Sequence, residues 1–212
     1  MRAAKRSDDP QTNHEMVVIV RTKYDASLLS VFSLVLLLLA PWPAEAAELD
    51  DTIALCTSCH GKNGMPVEPD MPIIWGQDFY YIYTQLKDYK AARRYSEFMN
   101  DVVADMSKEE MKAISRYFSE KSWPPTGFQS TRDDDAKAKT AAGAGQCFQC
   151  HIGNYMGNSG VPRLAGQKIG YLERTLFEFK NKIRRNSASK GSLLATFDDA
   201  DLEVLARYLA GL

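Results

Sequence analysis

Cys56-Thr57-Ser58-Cys59-His60 and Cys147-Phe148-Gln149-Cys150-His151 are two copies of one pattern, Cys-x-x-Cys-His. That pattern is the attachment signature of a c-type haem. Two thiols bond to the porphyrin vinyl groups, and the adjacent histidine becomes an axial iron ligand. The chain has four cysteines, and the two motifs use all of them. Three other readings of a Cys-x-x-Cys pair compete: a thioredoxin-like redox site, half of a four-cysteine zinc site and, in an exported protein, a structural disulfide. A thioredoxin-like site has no need of a histidine directly after both pairs. A zinc ribbon holds its pairs much closer together than Cys59 and Cys147. The double occurrence of the full pentapeptide favours two covalently attached haem c groups. Cys56, Cys59, Cys147 and Cys150 would hold them, with His60 and His151 on iron.

The sequence around the motifs is itself repeated. Pro72-Ile73-Ile74-Trp75-Gly76-Gln77 recurs as Pro162-Arg163-Leu164-Ala165-Gly166-Gln167. Tyr81 recurs as Tyr171, Leu86 as Leu176 and Tyr89 as Phe179. Near each end, Met111, Ile114, Tyr117 and Phe118 match Leu202, Leu205, Tyr208 and Leu209. A repeat of about ninety residues is too long for a solenoid unit and means duplicated domains. The boundaries implied are 47–121 and 136–212, with 122–135, rich in Pro124, Pro125 and Gly127, as a linker.

Each half reads as helical, so the expected fold class is all-α. Tyr81, Ile82, Gln85, Leu86 and Tyr89 fall on one face at helical spacing. Ser107-Lys108-Glu109-Glu110 is a capping box ahead of an apolar periodic stretch. Asp198-Asp199-Ala200-Asp201 opens the matching helix with acids in its first turn, where the helix dipole favours them. Domains this small bury little apolar surface. A haem at the centre of each would couple folding to cofactor attachment.

Ahead of the repeat, Ser27 to Ala40 is a continuous apolar run. Arg21 and Lys23 precede it, and Ala44-Glu45-Ala46 follows. This is the layout of a secretory signal peptide over residues 1–46. The run is shorter than the ~20 residues of a membrane span. Met16 offers an alternative start. The formal net charge of the 212-residue chain is −1. The leader carries as many basic as acidic side chains, so the balance survives its removal. Nothing in this balance suggests nucleic acid as a partner. Export to the periplasm fits the cysteines, because haem attachment of this kind occurs outside the bacterial cytoplasm.

The tandem motifs, the twice-seen Pro-x-x-x-Gly-Gln segment, the Tyr-rich helix after it and the closing helix of each half together resemble the dihaem cytochrome c4 family. The resemblance covers about Ala47 to Leu212. It implies two packed class I cytochrome c domains in the bacterial periplasm. They would shuttle electrons between redox proteins: a periplasmic dehydrogenase or quinol-oxidising complex, and a membrane-bound oxidase. Docking at a membrane surface is compatible with that role. It also implies that the Pro72 and Pro162 carbonyls accept the ring hydrogens of His60 and His151, orienting the rings and raising their donor strength.

Within that family Met99 matches the axial methionine on the far face of the first haem, and methionine raises the potential. Met106 and Met111 compete, Met111 from a helix's apolar face. The second half departs from the pattern. Its one methionine after Cys150 is Met156, too near the proximal side, and the position matching Met99 is Lys190. Lysine ligates only as a neutral amine, so a proton must first leave. Burial would ease that step. The alternatives are a solvated Lys190 in a Ser/Gly-rich loop beside an open haem, and Asn186 as a weak ligand. A haem enzyme, or a dehydrogenase's cytochrome subunit, resembling thiosulfate dehydrogenases or dihaem peroxidases in outline, is the alternative to a carrier. Against it, the segment supplies no histidine for acid–base work. Arg93-Arg94 and Arg184-Arg185 recur at matching places and suit haem propionates or solvated helix ends. Tyr80, Tyr81, Tyr83 and Tyr89 read as core.

Overall fold

The computed structural model describes residues 44–212. The expected signal peptide, apart from 44–46, and the alternative start at Met16 fall outside the described residues. Among the described residues no helix is long and apolar enough to cross a membrane. The described chain is helical, with a single isolated bridge between Asn158 and Val161.

The first half contains α1 (Ala44–His60), α2 (Phe79–Lys90), α3 (Glu97–Val102) and α4 (Lys108–Ser119). Its core gathers Ile82, Leu86 and Tyr89 of α2, Met111, Ile114 and Phe118 of α4, and Val103 and Met106 between them. The apolar face expected for α2 is therefore the buried face. Asp88 is buried on it too, and Tyr80, read as core, is 61% exposed. The reason is register: Tyr80 precedes the first buried turn of α2 and points to the opposite side. The capping box at Ser107 is formed in full. Ser107 accepts from the Glu110 amide at 3.1 Å, and the Glu110 carboxylate accepts from the Ser107 amide at 2.7 Å.

The second half contains α5 (Arg132–Ala144), α6 (Cys147–Cys150), α7 (Ile169–Lys180), α8 (Ala188–Leu194) and α9 (Asp199–Ala210). Its core runs from Ala138, Ala141 and Ala142 of α5 to Leu202, Leu205 and Leu209 of α9, with Leu172 and Phe179 of α7. α5 begins at Arg132, so the last part of the segment read as linker is helix, capped by Thr131 on the Asp134 amide. α9 opens at Asp198 with acids in its first turn, although the Asp198 side chain makes no capping bond.

The halves differ where the motifs sit. Cys56–His60 forms the last turns of the continuous α1. In the second half α5 stops at Gly145, Gln146 turns left-handed (φ 51°), and Cys147–Cys150 is a separate turn. The run Ala-Gly-Ala-Gly explains the break, because each glycine costs a helix about 1 kcal/mol relative to alanine.

The halves share one compact unit. The Trp123 indole in the linker donates to the Gly166 carbonyl at 3.2 Å and stacks under Arg163 at 4.4 Å. Asp78 caps α2 through the Tyr81 amide and also accepts from Gly160 of the other half at 2.8 Å.

Candidate functional site

The motif histidines make the same hydrogen bond. His60 Nδ1 lies 2.9 Å from the Pro72 carbonyl, and His151 Nδ1 lies 3.0 Å from the Pro162 carbonyl. A carbonyl only accepts, so Nδ1 carries the proton and Nε2 keeps its lone pair free. Burial lowers both imidazole pKa values below the ordinary range, with the proline carbonyls pulling the other way. Both rings therefore favour the neutral form, with Nε2 able to donate its lone pair.

The four cysteines are unpaired. Burial pushes the Cys56 thiol up to about 11 and raises Cys147 as well. Reactive thiols have lowered values, which argues against a thioredoxin-like site. Among the described residues no three His, Cys, Asp or Glu side chains gather to hold a metal, so the pairs do not build a zinc site.

α3 and α8 are equivalent short helices, each following a serine, Ser96 and Ser187. Met99 and Lys190 occupy the third position of each. Met99 is half-buried against the first core, while Met106 and Met111 are buried within it. Asn100 pins α3 by donating to the Tyr89 carbonyl at 2.6 Å and accepting from the Ser96 amide at 2.6 Å. Lys190 is helical and half-buried, not in a solvated loop. Burial, then the Arg184 charge, lowers its pKa. Its own charge in turn helps lower His151. Asn186 is no candidate ligand. Its amide donates to Gln85 at 2.9 Å and Asp88 at 2.8 Å, and its carbonyl accepts from Arg184 at 3.0 Å.

Between the halves lies a polar cluster that the sequence only hinted at. Arg94 and Arg184 are 8% and 6% exposed, so the solvated reading fails for this member of each pair. Arg93, in contrast, is exposed and pairs with Asp88 at 2.9 Å. Arg94 donates to the Tyr171 hydroxyl, and Arg184 to the Tyr81 hydroxyl, each at 3.2 Å across the boundary. Both also donate to Gln85 Oε1, at 3.0 and 2.9 Å. Burial works to raise Tyr171, but the Arg94 and Arg184 charges override it and bring the phenol down to about 7.

These observations test the fit of a haem. Two buried guanidiniums face phenols and an amide, while Asp88 is taken up by Arg93 and Asn186. The cluster draws negative charge, and haem propionates would supply it. In the first half, the Trp75 indole N–H is buried with no partner among the described residues. Buried donors as a rule find acceptors, and a haem carboxylate is one. With a neutral imidazole next in sequence to two free thiols in each half, the donor set fits haem c in both halves.

No family model matches the chain. Cytochrome c4 of Pseudomonas aeruginosa is 26% identical over 184 residues, covering 82% of this chain and 92% of that protein. The solved cytochrome c4 of Acidithiobacillus ferrooxidans superposes with a TM-score of 0.68 at 28% identity, over 75% of this chain and 99% of that one. Reduced recombinant cytochrome c4 of Pseudomonas stutzeri gives 0.70 at 26%, over 79% and 98%. The chain belongs to the dihaem cytochrome c4 family. It has the tandem class I cytochrome c fold, and as a member of that family it is a haem c protein that carries electrons. A thiosulfate dehydrogenase electron acceptor of Stutzerimonas stutzeri is also similar, 26% identical over 173 residues, 73% of this chain and 77% of that protein.

Sequence reasoning missed the roles of Gln85, Asp88 and Asn186 in the contact between the halves. Each bonds a partner roughly a hundred positions away, a separation no local pattern reports. The signal that was present is the recurrence of Arg94 as Arg184 and of Tyr81 as Tyr171.

Proposed function

We propose that the protein is a periplasmic dihaem electron carrier. It would connect a periplasmic dehydrogenase or quinol-oxidising complex with a membrane-bound oxidase, docking at the membrane surface where its partner is embedded. The observation that carries this reading is the mirrored pair of neutral histidines, each bound through Nδ1 to a proline carbonyl beside two thiols. The bound haem c supplies a one-electron iron couple. Cys56 and Cys59 would attach one group and Cys147 and Cys150 the other. His60 and His151 would offer Nε2 to iron, and Met99 would offer its sulfur to the first. Arg94, Arg184 and the Trp75 indole would take the carboxylates. Lys190 is the ligand proposed for the second site, where burial favours its neutral amine. A hard amine favours ferric iron, so the second site should have the lower potential and the second half should donate to the first.

A haem enzyme or a dehydrogenase's cytochrome subunit is the second reading. The replacement of methionine by Lys190 and the similarity to a thiosulfate dehydrogenase electron acceptor support it. Spectroscopy of the purified protein separates the two. A carrier shows two low-spin haems that bind cyanide or azide slowly, with two separated one-electron potentials. A high-spin second haem that binds azide readily overturns the carrier reading. Equal or reversed potentials overturn the direction of flow.

A further inference from the structure

The Pro72–Ile73 peptide unit is gripped at both ends. Its carbonyl lies 2.9 Å from His60 Nδ1. Its N–H donates across the boundary to Gln167 Oε1 at 2.8 Å. Gln167 Nε2 donates back to the Ile73 carbonyl at 3.0 Å. The arrangement is mirrored. The Pro162 carbonyl faces His151 Nδ1 at 3.0 Å, the Arg163 N–H donates to Gln77 Oε1 at 2.8 Å, and Gln77 Nε2 donates to the Arg163 carbonyl at 3.0 Å. Gln167 and Gln77 are 2% and 4% exposed, so little water competes for these bonds. Each Oε1 also accepts the next amide of its own half, Lys168 or Asp78, at 2.9 Å, which fixes the side chain from both sides. A side-chain amide sets an acceptor and a donor side by side, which matches a backbone N–H and C=O together and suits glutamine to both places.

We propose that Gln167 and Gln77 are positioning residues acting in trans, each tuning the iron-ligating histidine of the opposite half. The inference rests on the reading of His60 and His151 as iron ligands. An acceptor on the peptide N–H polarises that peptide and makes its carbonyl a better acceptor. A better acceptor for the Nδ1 hydrogen raises the donor strength of Nε2 and stabilises ferric iron. Each half therefore holds down the potential of the other half's haem, and that contribution is lost when the halves part.

Gln167→Met and Gln77→Met, in the haem-loaded full chain, test this by redox titration with NMR resolving the two haems. Gln167→Met should raise the first haem's potential and leave the second unchanged. Gln77→Met should do the reverse. The expected shift is a twofold to fivefold change in the redox equilibrium constant, roughly 20–40 mV at about 59 mV per tenfold for one electron. A merely structural role gives another result: loosened halves admit water to both haems, and both potentials fall together. That outcome, a shift in the substituted residue's own half, or no shift overturns the proposal. Should either variant fail to fold, the unmutated protein still reads it. A through-hydrogen-bond NMR coupling between the Ile73 amide nitrogen and the Gln167 side-chain carbonyl carbon supports the proposal, and its absence overturns it. If His60 and His151 prove unligated, the functional reading fails as well. If they are ligated and the crossed shifts are missing, this inference fails alone.

Discussion

Gly64→Ala, set against Gly127→Ala, measures how tightly the first site is packed around Trp75. Both glycines have left-handed backbones, φ +83° at Gly64 and +70° at Gly127. A side chain in that region costs about 1–2 kcal/mol, offset by about 0.4–1 kcal/mol gained from the stiffer unfolded chain. Gly127→Ala has no other cost, since a Cβ there meets nothing within 4 Å. It should lose roughly 1 kcal/mol. At Gly64 the added Cβ meets Trp75 Cδ2, Cγ and Cε3 at 2.6, 2.7 and 2.9 Å. These atoms are the root of the indole, not a flexible tip, so the whole ring must move. Overpacking of this kind costs a further ~1–3 kcal/mol. Guanidinium unfolding of the haem-loaded protein should therefore place Gly64→Ala about 1–3 kcal/mol below Gly127→Ala with an unchanged slope. The displaced ring carries the buried Trp75 N–H with it, so the first haem's potential should shift while the second stays in place. Equal stabilities for the two variants, or a shift at the second haem, would refute the reasoning.

Two further outcomes follow. Ser107→Ala should cost about 1 kcal/mol, the worth of a lost N-cap. The Ser107 hydroxyl and then its amide lower Glu110 below the ordinary glutamate value. The box therefore stabilises the fold above the unfolded-state value, and this is lost as pH falls through the lowered folded value. Acid titration of stability should show this loss in the parent protein and a flatter response in Ser107→Ala. Lys190→Met should give the second haem a spectrum like the first and raise its potential. If both Lys190→Met and Lys190→Ala leave that haem's spectrum unchanged, Lys190 is not its ligand.

What was legible in the residues was whatever local spacing encodes. The Cys-x-x-Cys-His pentapeptides, the Ser107 capping box and the α2 face all act within a few positions, and the repeat doubled each signal. Errors and omissions share a different cause. Arg94 and Arg184 look like surface arginines until Tyr171 and Tyr81 arrive from the opposite half. Asn186 looks like a spare ligand until Gln85 and Asp88 occupy its amide. Lys190 sits among Ser187, Ser189, Gly191 and Ser192, poor helix formers, so a loop was the reasonable expectation. Packing of Leu194 and Gly191 makes it a helix, because tertiary contact outweighs propensity in a segment this short.

The duplication also bears on where the two haems can differ. Proximal histidines, their prolines and the Gln77–Gln167 exchange are mirrored, so they act alike on both sites. Two departures from symmetry stand out. Gln85 takes hydrogen bonds from Arg94, Arg184 and Asn186, whereas the hydroxyl of its counterpart Thr175 is buried with no partner among the described residues. Met99 is answered by Lys190. Gln85 is one neutral dipole set among charges that both halves share through the interface. Its effect belongs with single hydrogen bonds, and it reaches both sites. Axial ligands, in contrast, set haem potentials over a range of about 0.8 V. The second departure therefore dominates. With Lys190 as the proposed ligand, the asymmetry between the halves would act mainly at the place where one residue moves a potential most.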